Sequence, residues 1–310
     1  MVISYVFIKI IKIIKKGNKQ MKITKIKSVS QKGFTLIELM ISLTLGLVIM
    51  LAAMQLFVTN QIGFNLQRNM GNVQENGRFA LDYINSTLRS AEYSVTDSDT
   101  ITGIVTSAAE LPGGTAALVT CNDCVTLGID KSDQLVIRQL ITDTMTNYRD
   151  CEGNSVPAST KTDKYYVVNR YFVRADTESN SASALACDGG YYKVGAAAMT
   201  NYNDAGVVLL SNIDSFQIQL GISALPVPDA GKRFPVRYVN FATYNAIAGT
   251  KPVISAVKVA VLVRSSEQAG ADYGTPSNVR VLDKIVNGSD LQDKRVHRLF
   301  SSTVALRNAI

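Results

Sequence analysis

The residue with the clearest potential for special chemistry is Glu38, because it is the one charged side chain in a long apolar stretch. Residues 34–58 form a run of 25 residues, and the next charged residue after Glu38 is Arg68. As a helix rising about 1.5 Å per residue, this run can cross a hydrocarbon core roughly 30 Å thick. A carboxylate near a bilayer centre costs about 2.5–3.5 kcal/mol, so intramembrane carboxylates often mark functional sites. The alternative is that Glu38, close to the start of the run, stays hydrated among the headgroups.

The residues beside Glu38 favour the functional interpretation. The sequence Gly33-Phe34-Thr35-Leu36-Ile37-Glu38 follows a lysine-rich leader and resembles the class III signal of type IV pilins and their relatives. The resemblance implies that a prepilin peptidase cuts between Gly33 and Phe34, and that Phe34 becomes the N-methylated first residue. It also implies that Glu38 pairs with the free amine of a neighbouring subunit, since opposite charges in lipid cost less when they meet. Residues 34–58 lack the proline that major subunits often carry, and Gly46 is their weak point.

Three further stretches resemble the minor pilins of the PilW type. They are Gln74-Glu75-Asn76-Gly77-Arg78-Phe79-Ala80, residues 257–265 and residues 298–308, whereas residues 95–250 match only in general character. The resemblance implies a structural protein, not an enzyme, that joins other minor pilins in a complex that starts or tips the filament. The implied partners are the prepilin peptidase and methylase, other minor pilins, the major pilin, the membrane and a large tip adhesin. The implied location is the inner membrane, with a periplasmic C-terminal domain, and then the pilus.

Two alternatives stay open. A minor pseudopilin of a type II secretion system would share the signal, the helix and the domain plan, although residues 74–80 favour the pilus. A membrane-anchored periplasmic enzyme would need a catalytic constellation, and the sequence has no Gly-x-Ser-x-Gly elbow, P-loop or dinucleotide fingerprint. We expect His297 to be an ordinary strand residue, and we expect no catalytic site, cofactor or metal. Lys294, Arg295 and Arg298 form a basic cluster that is either solvated or meets an acidic neighbour.

The basic character of the chain is concentrated in its leader. The chain has 32 Lys and Arg against 25 Asp and Glu, and nine of the lysines lie in residues 1–32, which hold no acid. Removing the leader leaves 23 bases against 25 acids, a net charge near −2, so we expect no direct nucleic-acid binding. The lysines keep the leader in the cytoplasm by the positive-inside rule. We favour Met21 as the true start of the protein. The alternative is that the residues before it form a basic amphipathic segment on the membrane surface.

The four cysteines, Cys121, Cys124, Cys151 and Cys187, indicate two disulfides in an exported chain. Cys121 and Cys124 have the spacing of half a zinc site or of a thiol redox motif. A second such pair and a surrounding βαβ pattern are both missing, so neither interpretation is favoured. Three pairings are possible. Our choice is Cys121 with Cys124 and Cys151 with Cys187, stapling loops of the exported domain.

The periodicity predicts an α+β fold in which a long N-terminal helix packs on a mostly antiparallel β-sheet domain. The helix spans the membrane in its first half and is amphipathic in its second half, to about Tyr93, with a kink or fraying near Gly71. Its apolar stripe is Phe79, Ala80, Tyr83, Ile84, Leu88 and Ala91, and Asp82 and Glu92 lie on the solvated face. The predicted segments are a leader (1–33), a spanning helix (34–58), its continuation (59–93) and the exported domain (94–310).

Alternation of apolar residues predicts eight strands in the exported domain. They cover residues 134–141, 164–174, 190–194, 207–210, 214–222, 234–244, 254–264 and 295–300, with a last segment at 304–306. Residues 94–132 are expected to be irregular, with a turn at residues 111–114, and residues 176–186 are expected to be a surface loop. Asn287-Gly288 is a tight-turn signal.

Overall fold

The computed structural model describes residues 33–91, 103–126, 129–142, 145–160, 162–176, 183–223, 237–270, 273–274, 276–291 and 293–306. The leader, the proposed start at Met21 and the predicted face residue Glu92 lie outside the described residues. The chain divides into two compact units, Met1–Phe57 and Val58–Ile310.

One helix, α1 (Leu36–Ser90), runs from the first unit into the second. Its residues in the first unit are exposed and almost entirely apolar. In the second unit its buried positions lie three or four apart, as expected of one face of a helix. They are Asn69, Val73, Gly77, Ala80, Leu81, Ile84 and Leu88. The helix passes through Gly71 without a break, so it is not frayed there.

The predicted apolar stripe is right in four of its six positions. Ala80, Ile84, Leu88 and Ala91 are buried, and Tyr83 is half-buried. Phe79 was assigned to the wrong face, because its side chain is 51 % exposed. Phe79 follows the buried Gly77 by two residues, about 200° around the helix, so it points to the opposite face.

Five antiparallel strands form the first sheet, in the order β1 to β5 along the chain. They are β1 (Cys121–Thr126), β2 (Ile129–Ile141), β3 (Tyr165–Arg174), β4 (Ala184–Lys193) and β5 (Val207–Ser211). Strand β3 is buried along nearly its whole length, which fits its central position in this sheet. Short 3₁₀ helices at Ala108–Glu110 and Ala116–Leu118 precede β1.

A second sheet has four antiparallel strands, and a separate hairpin has two. The later elements are β6 (Ile213–Ile222), β7 (Arg237–Val239), α2 (Phe241–Asn245), β8 (Ile254–Gln268), β9 (Asn278–Val281), β10 (Lys284–Asn287), a 3₁₀ helix (Gly288–Leu291) and β11 (Arg295–Ala305). The sheet order is β11-β8-β6-β7, and β9 pairs with β10. Strand β8 is the predicted buried strand, since nearly all of its first twelve residues are buried.

The main core lies between the second half of α1 and the two sheets. It joins Ile84 and Leu88 of the helix to Leu135 and Tyr171 of the first sheet, and it continues into the second sheet. Each fully buried Leu or Ile side chain contributes about 1.5–3 kcal/mol to stability through removal of apolar surface from water. The structure therefore has the predicted α+β architecture, with antiparallel sheets behind one long helix.

Several predicted strand limits are wrong. Residues 121–126 form β1 where irregular chain was expected, and β4 begins at Ala184 inside the expected surface loop, where residues 184–186 are buried. The strand expected at residues 234–244 is observed only at Arg237–Val239, because the Asn240 side chain accepts a hydrogen bond from Thr243 N and starts α2. Residues 224–236 lie outside the described part of the chain.

Two details near the C-terminus also differ from expectation. The tight turn of the β9–β10 hairpin lies at residues 282–283, where Leu282 has a φ of 55°, and not at Asn287-Gly288. The segments expected at residues 295–300 and 304–306 are one strand, because β11 pairs with β8 continuously from Arg298 to Ala305.

Candidate functional site

The segment from Gly33 to Glu38 places the proposed processing and pairing residues at the start of α1. Gly33 and Phe34 precede the helix, in no regular secondary structure, and both are exposed. The Thr35 hydroxyl accepts a hydrogen bond from Glu38 N at 3.4 Å, so Thr35 caps the helix at the position where threonine is favoured. The spacing Thr-x-x-Glu is that of a capping box, a signal that sequence analysis did not use.

The carboxylate of Glu38 lies in the first turn of α1, where the positive end of the helix dipole favours an acidic side chain. The Glu38 backbone carbonyl accepts a hydrogen bond from the Ser42 hydroxyl at 2.7 Å. Within residues 33–91 and the other described segments, the carboxylate itself has no hydrogen bond or ion pair. Glu38 is therefore held in place through its backbone, and its charge is left accessible.

The apolar part of α1 is long and hydrophobic enough to cross a membrane. Its most apolar 18-residue window has a mean hydropathy of 2.4 and is not buried against the rest of the described chain. Large apolar side chains are exposed all around this part of the helix, including Leu43, Val48 and Phe57. A helix that is apolar on every side needs an apolar environment, which a bilayer or a bundle of similar helices provides.

The second half of α1 binds the second sheet at specific points. The Asn69 side-chain amide lies 3.4 Å from the carbonyl oxygens of Glu267 and Gln268 at the end of β8. The Asn85 side chain accepts a hydrogen bond from Ser302 Oγ of β11 at 2.7 Å. Gly77 packs directly beneath the Phe300 ring, where any side chain would collide with it.

Both disulfides are formed, with Cys121 bonded to Cys124 and Cys151 bonded to Cys187. This is the pairing that sequence analysis selected from three possibilities. Cys121 and Cys124 lie in β1, and Cys151 follows a turn that the second disulfide ties to β4. The Cys151 backbone N–H also donates to the Asn169 side chain of β3 at 3.0 Å, which adds a second tie to the first sheet.

The His297 side chain is buried beside two aspartates and two arginines whose side chains are partly exposed. Its Nε2 lies 3.2 Å from Asp214 Oδ2 and 3.6 Å from Asp293 Oδ1, and its side chain is 1 % exposed. Arg264 contacts the same two aspartates, and Arg295 contacts Asp293, all at 3.4 Å. His297 is thus enclosed by acidic partners from β6 and from the segment before β11. Arg295 of the predicted basic cluster is therefore paired within the chain, while Lys294 and Arg298 are exposed.

One group of acidic side chains in the described part of the chain has the spacing of a metal site. Glu152, Asp188 and Asp204 each offer an oxygen, and these oxygens lie within 4.8 Å of one another. Burial raises the pKa of Asp188 and that of Glu152 above their ordinary values, and neighbouring carboxylates raise both further. Sequence analysis missed this group, because its members lie in three separate segments and no local motif joins them.

Two family models match the chain. Residues 170–308, from within β3 to beyond β11, match the model described as type IV pilus-assembly protein W. Residues 29–54, which contain Gly33, Phe34 and Glu38, match the model described as the prokaryotic N-terminal methylation motif. Among solved structures, the chain is similar to the type IV-like pilin TTHA1219 from Thermus thermophilus, with 15 % identity and a TM-score of 0.27. That alignment covers 57 % of this chain and 78 % of the pilin. No curated protein matches the chain.

Proposed function

We propose that the chain, a minor pilin by its matches to the PilW model and to the N-terminal methylation motif, joins other minor pilins in the complex that starts or tips the filament. The observation that carries the proposal is the match of residues 29–54 to the N-terminal methylation motif, on a helix whose apolar window is unburied. The PilW match favours pilus assembly over type II secretion.

Processing between Gly33 and Phe34 is the first step of the proposed mechanism. A peptidase needs an accessible peptide bond outside regular structure, and both residues are exposed and precede the helix. Cleavage removes the leader with its nine lysines and leaves an amine on Phe34, which the methylase then modifies. The prepilin peptidase is thus the one partner whose target bond can be named.

Membrane storage is the second step. The protein is membrane-anchored through the apolar part of α1, and we propose that residues 59–310 face the periplasm, because the lysine-rich leader stays in the cytoplasm. During assembly the apolar helix passes from lipid into the filament core, where the helices of other pilins cover its exposed side chains.

Glu38 would fix the axial position that the subunit takes when its helix enters the filament core. Its carboxylate lies in the first turn of α1 without an ion-pair partner among the described residues, at the end of the helix that enters the filament core. We propose that this carboxylate forms an ion pair with the N-terminal amine of a neighbouring pilin. A charge in an apolar core is tolerated when it is paired, so this contact permits one axial position and penalises others.

The test is the variant Glu38→Gln, expressed in cells that depend on this chain for piliation. We expect normal cleavage and an N-methylated Phe34 in the mass spectrum of the purified protein. Pilus number should fall about tenfold or more, since one unpaired buried charge costs about 3–5 kcal/mol. The matched control is Glu75→Gln, an exposed glutamate on the same helix, which should leave pilus number unchanged. Normal piliation with Glu38→Gln would contradict the pairing, and a retained leader in the wild type would contradict the processing.

A further inference from the structure

We propose that Glu152, Asp188 and Asp204 form a calcium site in the exported domain, a role separate from the assembly function of α1. The three carboxylates come from the turn after Asp150, from β4 and from the loop before β5. Their nearest oxygens lie within 4.8 Å of one another.

Each carboxylate is fixed through one oxygen, which leaves the other oxygen for a ligand. Asn154 Nδ2 donates to Glu152 Oε2 at 3.1 Å, and Gly206 N donates to Asp204 Oδ1 at 2.7 Å. Asp188 Oδ2 receives the Arg170 guanidinium at 2.7 Å and the backbone N–H of Asn203 at 3.1 Å. The side chains are thus held in position before any ion binds, and this lowers the conformational entropy that binding would cost.

The second oxygen of Asp188 is the strongest indication of a ligand. The Asp188 side chain is completely buried, and Oδ1 has no hydrogen-bond partner among the residues that the structure describes. Buried polar atoms are almost always satisfied, so an orphaned carboxylate oxygen indicates that a partner is missing, such as a water or an ion. Because Oδ2 is already occupied, Oδ1 is the atom that would bind the cation.

The charges around the group leave an excess that a divalent ion would balance. Among the described residues Arg170 forms an ion pair with Asp188 alone, and its guanidinium lies over the Phe172 ring at 4.5 Å and donates to the Asp204 backbone carbonyl at 2.9 Å. Asp150 lies nearby, but its oxygens accept hydrogen bonds from Glu152 N and from Asn154, so it is not free to act as a ligand. Two negative charges therefore remain on the three ligand residues.

The chemistry of the ligands selects calcium. All three are carboxylate oxygens, which suit hard cations, and no histidine or thiolate takes part. Ca²⁺ takes six to eight oxygens in a flexible geometry, whereas Mg²⁺ keeps several waters and usually takes only one or two carboxylates, so three protein carboxylates at one position favour calcium. Asp204 is exposed, so waters can complete the coordination shell.

The fold brings the three segments together through the disulfide and one close backbone contact. The Cys151–Cys187 bond ties the neighbour of Glu152 to the neighbour of Asp188. Gly206 has a φ of 64° and packs against the Cys187 carbonyl, where a side chain would collide, so the loop with Asp204 lies close to β4. The site is therefore a product of the cross-linked loops of the domain.

The experiment uses the full mature protein in detergent, stripped of metal with a chelator. Thermal unfolding and isothermal titration calorimetry are measured with CaCl₂ and with MgCl₂, each up to about 5 mM, since extracellular calcium modules bind with Kd of about 10⁻⁴–10⁻³ M. We expect calcium to raise the unfolding midpoint saturably by several degrees, with a smaller effect of magnesium.

The variant Asp204→Asn should weaken the apparent calcium affinity about tenfold or more. Asparagine can still accept the hydrogen bond from Gly206 N, and position 204 is exposed, so the fold should persist without calcium. The matched control, Asp82→Asn on the exposed face of α1, should respond as the wild type does. An unfolding midpoint that calcium does not change, or an unaltered response in Asp204→Asn, would overturn the site. An equal response to magnesium would overturn the assignment to calcium.

Discussion

Asp133 shows how one buried carboxylate connects elements that are distant in sequence. Its Oδ2 accepts the backbone N–H of Ile218 in β6 at 2.8 Å, and its Oδ1 accepts Asp123 N and Asn122 Nδ2 in β1, each at 3.0 Å. Burial raises the pKa of Asp133 from 3.8 to about 6, and these hydrogen bonds only partly oppose the rise. The side chain thus joins the two sheets, and its ionised form is less stable in the folded state than in water.

Removing this carboxyl should change the pH dependence of stability. Between pH 3.8 and about 6 the folded protein holds a proton on Asp133 that the unfolded chain has lost. The contribution of Asp133 is therefore greatest below pH 3.8, and it falls by about 3 kcal/mol as pH rises through 6. Denaturant unfolding from pH 4 to 7 should show this fall in the wild type relative to Asp133→Asn. The same comparison with Asp82→Asn should be flat, and a pH-independent difference for Asp133→Asn would contradict the prediction.

The start of α1 combines an observed helix cap with the residue proposed to pair between subunits. Thr35 caps the helix through Glu38 N, while the Glu38 side chain remains accessible for a partner outside the described chain. The capping interaction fixes Thr35, directly after Phe34, as the residue before the first helical residue, Leu36. A fixed start places the proposed Phe34 amine and the Glu38 carboxylate at a defined separation along the helix, which the proposed pairing between subunits requires.

At the scale of elements, the second half of α1 is fixed to β11 by close contact at Gly77. The Phe300 ring lies over Gly77, and Ser302 of the same strand donates a hydrogen bond to Asn85, about two turns further along the helix. Glycine at this position weakens the isolated helix by about 1 kcal/mol relative to alanine. The glycine at position 77 is therefore explained by the close approach of helix and sheet. The same contact joins residues 74–80 to residues 298–308, the first and last of the PilW-like stretches.

Gly77→Ala should destabilise the protein by about 1–3 kcal/mol, because the added methyl group must displace the Phe300 ring. Gly71→Ala is the matched control, since no atom of the described residues lies within 4 Å of its side-chain position and the helix gains about 1 kcal/mol from the better helix former. Denaturant unfolding of the domain should therefore shift in opposite directions for the two variants. A stabilisation by Gly77→Ala equal to that of Gly71→Ala would show that Phe300 does not constrain the helix.

At the scale of the whole molecule, the two disulfides restrain the exported domain very differently. Cys121–Cys124 closes a separation of 3 residues, whereas Cys151–Cys187 closes 36 residues and ties a long connection to β4. In the chain-entropy model a cross-link stabilises by restricting the unfolded chain, and the effect grows with the length of the closed loop. The second disulfide should therefore carry most of the stabilisation.

Paired alanine variants test this expectation. Cys151→Ala with Cys187→Ala should lower the free energy of unfolding by about 4 kcal/mol, and Cys121→Ala with Cys124→Ala by about 1.5 kcal/mol. The measurement is denaturant unfolding with a chelator present, so that metal binding at the proposed calcium site does not contribute. A larger loss from the Cys121 pair would refute the entropic argument, and non-reducing mass spectrometry of the wild type checks the pairing itself.

The elements whose evidence is local were predictable from the sequence. The extent of α1, strands such as β3 and β8, and the α+β class depend on the period of apolar residues along one segment. The motif around Glu38 is likewise contained in a few consecutive residues, and its match to the methylation motif supports the same interpretation. The face of Phe79 and the start of β4 were wrong, because burial there depends on which neighbour the chain meets.

Tertiary structure decided every feature that depends on separate segments meeting. The charged groups around His297, the contact of Gly77 with Phe300 and the group of Glu152, Asp188 and Asp204 each combine residues far apart in the chain. No periodicity or motif encodes such meetings, because they follow from strand order and register. The sequence by itself thus determined the methylation motif and the apolar half of α1, because both are encoded in consecutive residues, while the packing of helix and sheets determined which polar groups are buried.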